Sequence, residues 1–451
     1  MSGHAPVSGF VTRTRFIIGL GCVAFGAAIF AVAFRAALAL VYRAVFHADD
    51  VVAAIAGLSP WRRVGVLMSG AAVAGVIARL RAAPTQGVSN VMEAVALGNV
   101  RLSMRTTLSR VLASWCSIAT GLSIGREGPL IEFGGSLGAV MGRATRLDLG
   151  STRALVAAGT AAGFAAAYNT PFAAVIFVLE TIVGIAALEA LLPVMAASAV
   201  ATVVTRATVG GGPIYGQRSF GLQSPSELLA FAGLGLVAAL AAVAFKQVLS
   251  SFERLFERGA VTQPFRATVG GLLVGLLAAW IPAIAGNGYE PLNVILDERL
   301  AMGAVLALIA VKIVATSASV ASGVPGGIFT PVLLVGGGVG LSWAHALTWL
   351  GIASGTSPGS YALVGMAATA AASLHAPLTA AVLVFELSGD YPIALPLLVA
   401  TVVATAASRL LGSASVYEAE LRRKGLGWEL TLEGRRVTSD NRPSSRRGGE
   451  A

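Results

Sequence analysis

A glycine-rich segment with one fixed spacing occurs twice in this chain, and each copy lies inside strongly apolar sequence. The copies run from Gly125 to Gly138 and from Gly327 to Gly340, both with the pattern GxxxPxxxxGGxxG. Glycine lets the backbone bend sharply and proline fits the first turn of a helix, so each copy predicts a helix start. The first N–H groups of a helix have no partner within it and carry the positive end of its dipole. Two such starts inside a bilayer predict a site for an anion.

The composition predicts a polytopic membrane protein built of helices. Of the 451 residues, 56% are hydrophobic and only 12% are charged, and the mean hydropathy is +0.79. Several charge-free runs, such as Phe16–Phe34 and Leu228–Phe245, approach or exceed the length of a membrane span. The stretch from Ile313 to Phe385 contains no Asp, Glu, Lys or Arg. It is too long for one helix and rich in Gly and Pro, so it predicts several spanning, broken or re-entrant pieces.

A second repeated element indicates that the chain consists of two homologous halves. Asn169-Thr-Pro171 opens an apolar run ending in Glu180, and His375-Ala-Pro377 opens a similar run ending in Glu386. Broken apolar helices in duplicated halves are typical of transporters with a site at the repeat interface. An odd number of crossings per half would invert the second half. The predicted division is a cytoplasmic N-terminus (1–15), a first transmembrane half (16–210), a second transmembrane half (226–412) and a basic cytoplasmic tail (413–451).

The net charge of +10 does not indicate nucleic-acid binding, because only three lysines occur and the arginines flank apolar runs. Basic residues in short loops instead set membrane topology, which predicts that both termini are cytoplasmic. Lys312 interrupts an apolar run and is interpreted as a snorkelling or Glu-paired lysine. Cys22 and Cys116 lie in apolar segments and predict neither a disulfide nor a metal site. No metal, cofactor or enzymatic nucleophile is expected.

These motifs resemble those of the CLC chloride channel and chloride–proton antiporter family. The resemblance rests on Gly125–Pro129, Gly326–Pro331 and Tyr417, and it extends roughly from Phe16 to Arg423. It implies a CLC-like inverted repeat of short tilted helices whose N-termini meet at an anion site. It further implies a homodimer with one pore per subunit, of the bacterial type without C-terminal CBS regulatory domains, in the inner (cytoplasmic) membrane. The family includes passive channels and anion/proton antiporters, so both readings stay open.

Glu127 is the first candidate for a functional side chain. A carboxylate inside the membrane is unfavourable unless helix N–H groups receive it, so it competes with an anion for the same donors. The alternative is a structural glutamate that caps a helix or pairs with Arg126. By resemblance, Glu127 is the gating and proton-coupling residue. The residues expected to bind the anion, largely through backbone amides and the Tyr hydroxyl, are Gln86, Arg126, Gly128, Ile328, Phe329 and Tyr417.

Two positions depart from the family pattern. Gln86 stands where the family usually has a serine that meets the anion, which leaves the preferred anion open. Thr181 stands where proton-coupled members often have an internal glutamate, and a threonine cannot take up and release a proton at neutral pH. The alternative function is therefore transport of fluoride, nitrate or an organic anion with weak or absent proton coupling. Glu180 is interpreted as structural, because Glu386 repeats it in the other half.

Overall fold

The structure is a computed structural model, and it describes most of the chain. The described residues are 5–80, 87–96, 102–184, 190–212, 215, 222, 224–259, 262–352, 355–423, 426–431 and 434–439. Gln86, one of the predicted anion-binding residues, lies outside them.

The described part of the membrane region is entirely helical. In the first half of the chain the helices are α1 (Ala5–Phe46), α2 (Val51–Ala56), α3 (Pro60–Arg79), α4 (Val88–Ala96), α5 (Met104–Ala119), α6 (Glu127–Ala144), α7 (Leu149–Tyr168), α8 (Pro171–Phe177), a π-helical turn (Val178–Val183) and α9 (Leu191–Val209). In the second half they are α10 (Glu227–Arg258), α11 (Phe265–Trp280), a 3-10 turn (Pro282–Ile284), α12 (Tyr289–Leu296), α13 (Met302–Ala321), α14 (Phe329–Trp349), α15 (Pro358–Leu374), α16 (Pro377–Ser388), α17 (Ala394–Leu410) and α18 (Val416–Arg423).

Six helical stretches among the described residues are long and apolar enough to cross a membrane. Several further apolar helices, including α8 with its π-helical turn, α11, α16 and α17, are shorter than a full span. The uncharged stretch 313–385 contains the end of α13, all of α14 and α15, and most of α16, as its Gly and Pro content predicts. The six long stretches are Thr12–Ala56, Pro60–Arg79, Leu191–Val209, Glu227–Arg258, Met302–Ala321 and Phe329–Trp349.

Helices begin where the repeated prolines predict. Helix α6 begins two residues before Pro129, and α14 begins two residues before Pro331, so both prolines lie in the first turn. Helices α8 and α16 begin at Pro171 and Pro377 themselves. Both repeated elements therefore mark helix starts, as predicted.

The glycines that follow each start bring pairs of helices into backbone contact. A Cβ added at Gly134 of α6 would lie 2.0 Å from the carbonyl oxygen of Gly159 in α7. In the other half, a Cβ at Gly336 of α14 would lie 2.4 Å from the carbonyl oxygen of Gly365 in α15. Such close approach between membrane helices requires residues without side chains. The same packing thus occurs at corresponding positions of the two halves.

Glu180 and Glu386 each cap a helix of the opposite half. The Glu180 carboxylate accepts the Thr379 N–H at 2.8 Å at the start of α16. The Glu386 carboxylate accepts the Ala173 N–H at 2.7 Å at the start of α8. Carboxylates are favourable there because helix N-termini carry unpaired N–H groups and positive potential. The structural interpretation of Glu180 is confirmed, and this reciprocal contact joins the two halves.

Lys312 does not snorkel to a membrane surface, so the snorkelling alternative is wrong, whereas pairing with a glutamate stays an interpretation. Its side chain is fully buried, at 0% exposure, and its Nζ donates to the carbonyl oxygens of Ile284 and Gly286 at 2.9 and 2.8 Å. The 3-10 turn between α11 and α12 leaves these carbonyls outside helical hydrogen bonding, so they are available to a buried cation.

The C-terminal region contains secondary structure that the sequence analysis did not predict. Helix α18 occupies the beginning of the predicted tail, and two antiparallel strands follow it, β1 (Leu426–Thr431) and β2 (Gly434–Ser439). The pairing runs from Leu426 opposite Ser439 to Thr431 opposite Gly434. In β1 apolar residues such as Trp428 alternate with glycine or polar residues, which is the period of a strand. The many basic residues of this segment led to the prediction of a basic tail without strands.

Candidate functional site

The two predicted helix starts are tied together by backbone hydrogen bonds. Gly125 N donates to Gly327 O at 2.6 Å, and Gly327 N donates to Gly125 O at 2.8 Å. This antiparallel bridge joins residues about two hundred positions apart and places the starts of α6 and α14 side by side. A Cβ at Gly125 would lie 2.1 Å from Glu127 Oε1, and one at Gly327 would lie 2.4 Å from the same atom. Glycine is needed at both positions to leave room for the Glu127 carboxylate.

The Glu127 carboxylate lies at the start of α14, where it is held by Thr330 in a position we call the Glu127 seat. Thr330 N donates to Glu127 Oε1 and Thr330 Oγ1 donates to Oε2, both at 3.1 Å. The Tyr168 hydroxyl lies 2.9 Å from Thr330 Oγ1. An ionised carboxylate can only accept, so the order of donation is Tyr168 to Thr330 to Glu127. Glu127 itself is buried, with 3% of its surface exposed.

This seat corrects one expectation about the second glycine segment. From Gly327–Pro331 the sequence led us to expect backbone amide donors, yet Thr330 contributes its hydroxyl as well as its N–H. The threonine lies one position after Phe329 and therefore within the first turn of α14. A helix start that offers a hydroxyl as well as backbone N–H groups stabilises a negative charge more than the N–H groups alone.

A cavity of about 540 Å³ opens beside this seat. Glu127, Gly128, Ile328, Phe329 and Tyr417 all line it, so the structure brings together most of the predicted site residues. Gly87 and Val88 line it too, and they directly follow the predicted Gln86 in the chain.

Arg126 lies apart from this group, in a second cavity of about 530 Å³. Its neighbours there include Arg35, Asp50 and Glu290. Arg126 directly precedes Glu127 in the chain, so the second cavity includes the residue next to the Glu127 seat. The second cavity carries charges of both signs.

Thr181 is buried in the π-helical turn Val178–Val183, with 2% of its surface exposed. It is not among the residues that line the cavity beside Glu127. Its neighbour Glu180 points instead to the start of α16, where it caps the helix. The turn therefore supplies no cavity-lining carboxylate among the described residues.

Several polar residues of the cavity were not predicted from the sequence, and two groups of them matter most here. Thr330 and Tyr168 complete the Glu127 seat, and no local signal marks them, because their partner is distant in sequence. Glu132 and Arg110 form a buried ion pair on the same cavity. A signal for Glu132 was available, since it is an acid in a segment of α6 that otherwise carries only glycine and apolar or small residues from Gly128 to Gly142.

A family model described as voltage gated chloride channel matches residues 69–409. This chain belongs to that family. Its CLC membership also appears in curated relatives that it matches nearly end to end. It is 35% identical to a putative chloride channel protein ClcB-like of Ralstonia nicotianae, over 89% of this chain and 96% of the relative. It is 32% identical to the voltage-gated ClC-type chloride channel ClcB of Citrobacter koseri, over 87% and 95% respectively.

Solved CLC structures share the fold at low sequence identity. A slow cyanobacterial chloride/proton antiporter superposes with a TM-score of 0.81 at 23% identity, covering 91% of this chain and 98% of that one. A CLC-type fluoride/proton antiporter superposes with a TM-score of 0.68 at 19% identity, covering 93% and 99%. The chain is an all-α polytopic integral membrane protein of CLC fold, as the resemblance implies, with a short hairpin after the last helix.

Proposed function

We propose that this protein moves chloride or a similar anion across the membrane through the cavity between the starts of α6 and α14, with Glu127 as a protonatable gate. One observation carries the proposal: the Glu127 carboxylate occupies the Thr330 donors at the wall of a cavity that is also lined by four of the predicted anion-binding residues, Gly128, Ile328, Phe329 and Tyr417. Membership of the CLC family supports it.

The carboxylate and the anion compete for one set of donors. An ionised Glu127 satisfies Thr330 and leaves no place for a second negative charge beside it. When Glu127 binds a proton, its charge-assisted hydrogen bonds weaken and an anion can take its place. Such a gate needs no large movement, because rotation of one side chain away from Thr330 vacates the donors.

The anion itself is bound weakly, as flux requires. Gly128, Ile328 and Phe329 offer backbone N–H groups at two helix starts, and Tyr417 offers its hydroxyl from the cavity wall. Backbone dipoles stabilise an anion without the fixed positive charge that would trap it. Arg126 acts from the second cavity, where it attracts anions toward the same gate.

The proposal has two forms, which differ in whether protons cross the membrane together with anion movement. In the antiporter form, protons reach Glu127 from both sides, and the inner route uses water or a group other than Thr181. In the channel form, Glu127 responds to protons but carries none across. Gln86 and Thr181 favour a second candidate, in which the transported anion is fluoride, nitrate or an organic anion with weak or absent coupling.

The membrane arrangement follows from the same assignment. The protein acts in the bacterial inner membrane as a homodimer with one pathway per subunit and with both termini in the cytoplasm. The repeat halves are 16–210 and 226–412, and their helix starts meet at the Gly125–Gly327 bridge.

Purified protein in chloride-loaded lipid vesicles tests the function. We expect chloride efflux that increases as the pH falls, and an antiporter would also drive protons uphill along a chloride gradient. Efflux without proton movement would assign the channel form. Efflux of fluoride or nitrate but not chloride would assign the second candidate, and the absence of anion efflux at every pH would refute the proposal.

A further inference from the structure

Glu132 is a second buried carboxylate on the wall of the cavity that contains Glu127. It lies five residues farther along α6, which is about 7.5 Å of helix rise, and 2% of its surface is exposed. Both glutamates line the same cavity. Ionisable residues inside membrane helices are unfavourable and usually serve a function, and the gate proposed at Glu127 does not use this one.

The partners of Glu132 include a cation. Its carboxylate forms an ion pair with Arg110 of α5, and it accepts the Gly87 N–H at 3.2 Å and an Asn90 amide N–H at 3.3 Å. Arg110 is itself mostly buried, with 13% of its side chain exposed, and it lines the cavity as well. Without the carboxylate, Arg110, Gly87 and Asn90 would direct one full positive charge and further N–H donors into an anion pathway.

Structural stability alone explains this pair poorly. Burying two charges has a large desolvation cost, and buried ion pairs can often be replaced by apolar residues without loss of stability. A capping carboxylate in this fold need not face the cavity that contains Glu127. Glu386, for example, accepts hydrogen bonds from N–H groups at the start of α8 and does not line that cavity. The location of Arg110 and Glu132 on the cavity wall is therefore the feature to be explained.

We propose that Glu132 is a tethered competitor that neutralises Arg110 and keeps anion binding in this part of the cavity weak enough for release. A permeating ion must bind well enough to enter and weakly enough to leave. An unpaired buried guanidinium would hold an anion too tightly, because attraction between charges is strong where water is scarce. The carboxylate occupies the same donors and so sets the affinity. This proposal rests on the anion transport proposed above.

Chloride binding by the purified full-length protein, measured by titration calorimetry, tests the proposal. We expect Glu132→Gln to bind chloride at least about tenfold more tightly than the wild type, equivalent to about 1.4 kcal/mol, and to release it more slowly, so that the maximal efflux rate falls. The double variant Glu132→Gln/Arg110→Gln removes both charges and should return the affinity toward the wild-type value. Glu386→Gln, which removes a capping carboxylate elsewhere, should leave the affinity unchanged.

A pair that only ties α5 to α6 would give a different pattern. Glu132→Gln would then lower the melting temperature with wild-type chloride affinity, and that result overturns the proposal. Equal affinities of the single and double variants would also overturn it. If Glu132→Gln does not fold, Arg110→Gln decides, because it leaves the Glu132 carboxylate without its cation on the cavity wall and should weaken chloride binding, whereas unchanged binding refutes the idea. Absence of chloride binding and efflux in the wild type would instead refute the underlying transport function.

Discussion

Replacing Thr330 with valine removes one hydroxyl hydrogen bond from the Glu127 carboxylate and keeps the side-chain shape and the backbone N–H. A hydrogen bond to a charged group contributes roughly 1.5–3 kcal/mol. Because one pH unit corresponds to about 1.36 kcal/mol, losing this bond should make Glu127 leave its seat about one to two pH units higher. The pH of half-maximal anion efflux should rise by that amount, and efflux at neutral pH should increase.

The assay is chloride efflux from vesicles over a series of pH values, with two controls. Thr330→Ser retains the hydroxyl and should keep the wild-type pH profile. Tyr168→Phe removes only the outer member of the chain, whose hydroxyl lies 2.9 Å from Thr330 Oγ1, so its shift should have the same direction and be smaller. A Thr330→Val profile that coincides with the wild-type profile would refute the proposed seat of Glu127.

Three further perturbations follow from the structure. Gly327→Ala would place a Cβ 2.4 Å from Glu127 Oε1, so it should displace the carboxylate and move the efflux profile to higher pH; an unchanged profile would contradict the close contact. Glu386→Ala leaves the start of α8 without its cap and should destabilise the protein by about 1 kcal/mol, measured as a lower melting temperature with the pH profile retained; a changed profile with unchanged melting would contradict a structural role. Hydrogen bonds from Ser151 lower the pKa of Asp148 in the folded protein. The ionised Asp148 N-cap therefore stabilises α7 fully above the unfolded-state pKa of about 3.9. This stabilisation is lost as the pH falls through the lower folded-state pKa. Asp148→Ala should therefore lower the melting temperature more at pH 7 than at pH 3, and an equal loss at both pH values would contradict the assignment.

The helix starts and the placement of Glu127 at one of them could be predicted because their signals are local. Glycine and proline determine where a helix begins within a few residues, and the repeat of one spacing at Gly125 and Gly327 indicated that the two starts act together. Glu127 stood out because a carboxylate inside the membrane needs hydrogen-bond donors to stabilise its charge. In the structure Thr330 supplies these donors.

The partners of these residues could not be predicted, because they depend on tertiary contacts. Thr330 is 203 positions from Glu127 in sequence, and only the fold brings them together. The same is true of the Glu132–Arg110 pair, because Glu132 stands out in its apolar segment but nothing local indicates Arg110 as its partner. The C-terminal hairpin was missed for another reason: basic residues dominated the interpretation of a segment whose apolar residues alternate.

The account depends most on the claim that Glu127 occupies the donors an anion needs. The direct measurement is chloride efflux and proton movement in vesicles for Glu127→Gln beside Glu180→Gln, a control that alters a carboxylate capping α16. We predict that Glu127→Gln loses the pH dependence of efflux and any proton movement, because its amide is neutral at every pH, while Glu180→Gln keeps the wild-type profile. Wild-type pH dependence in Glu127→Gln would contradict the account.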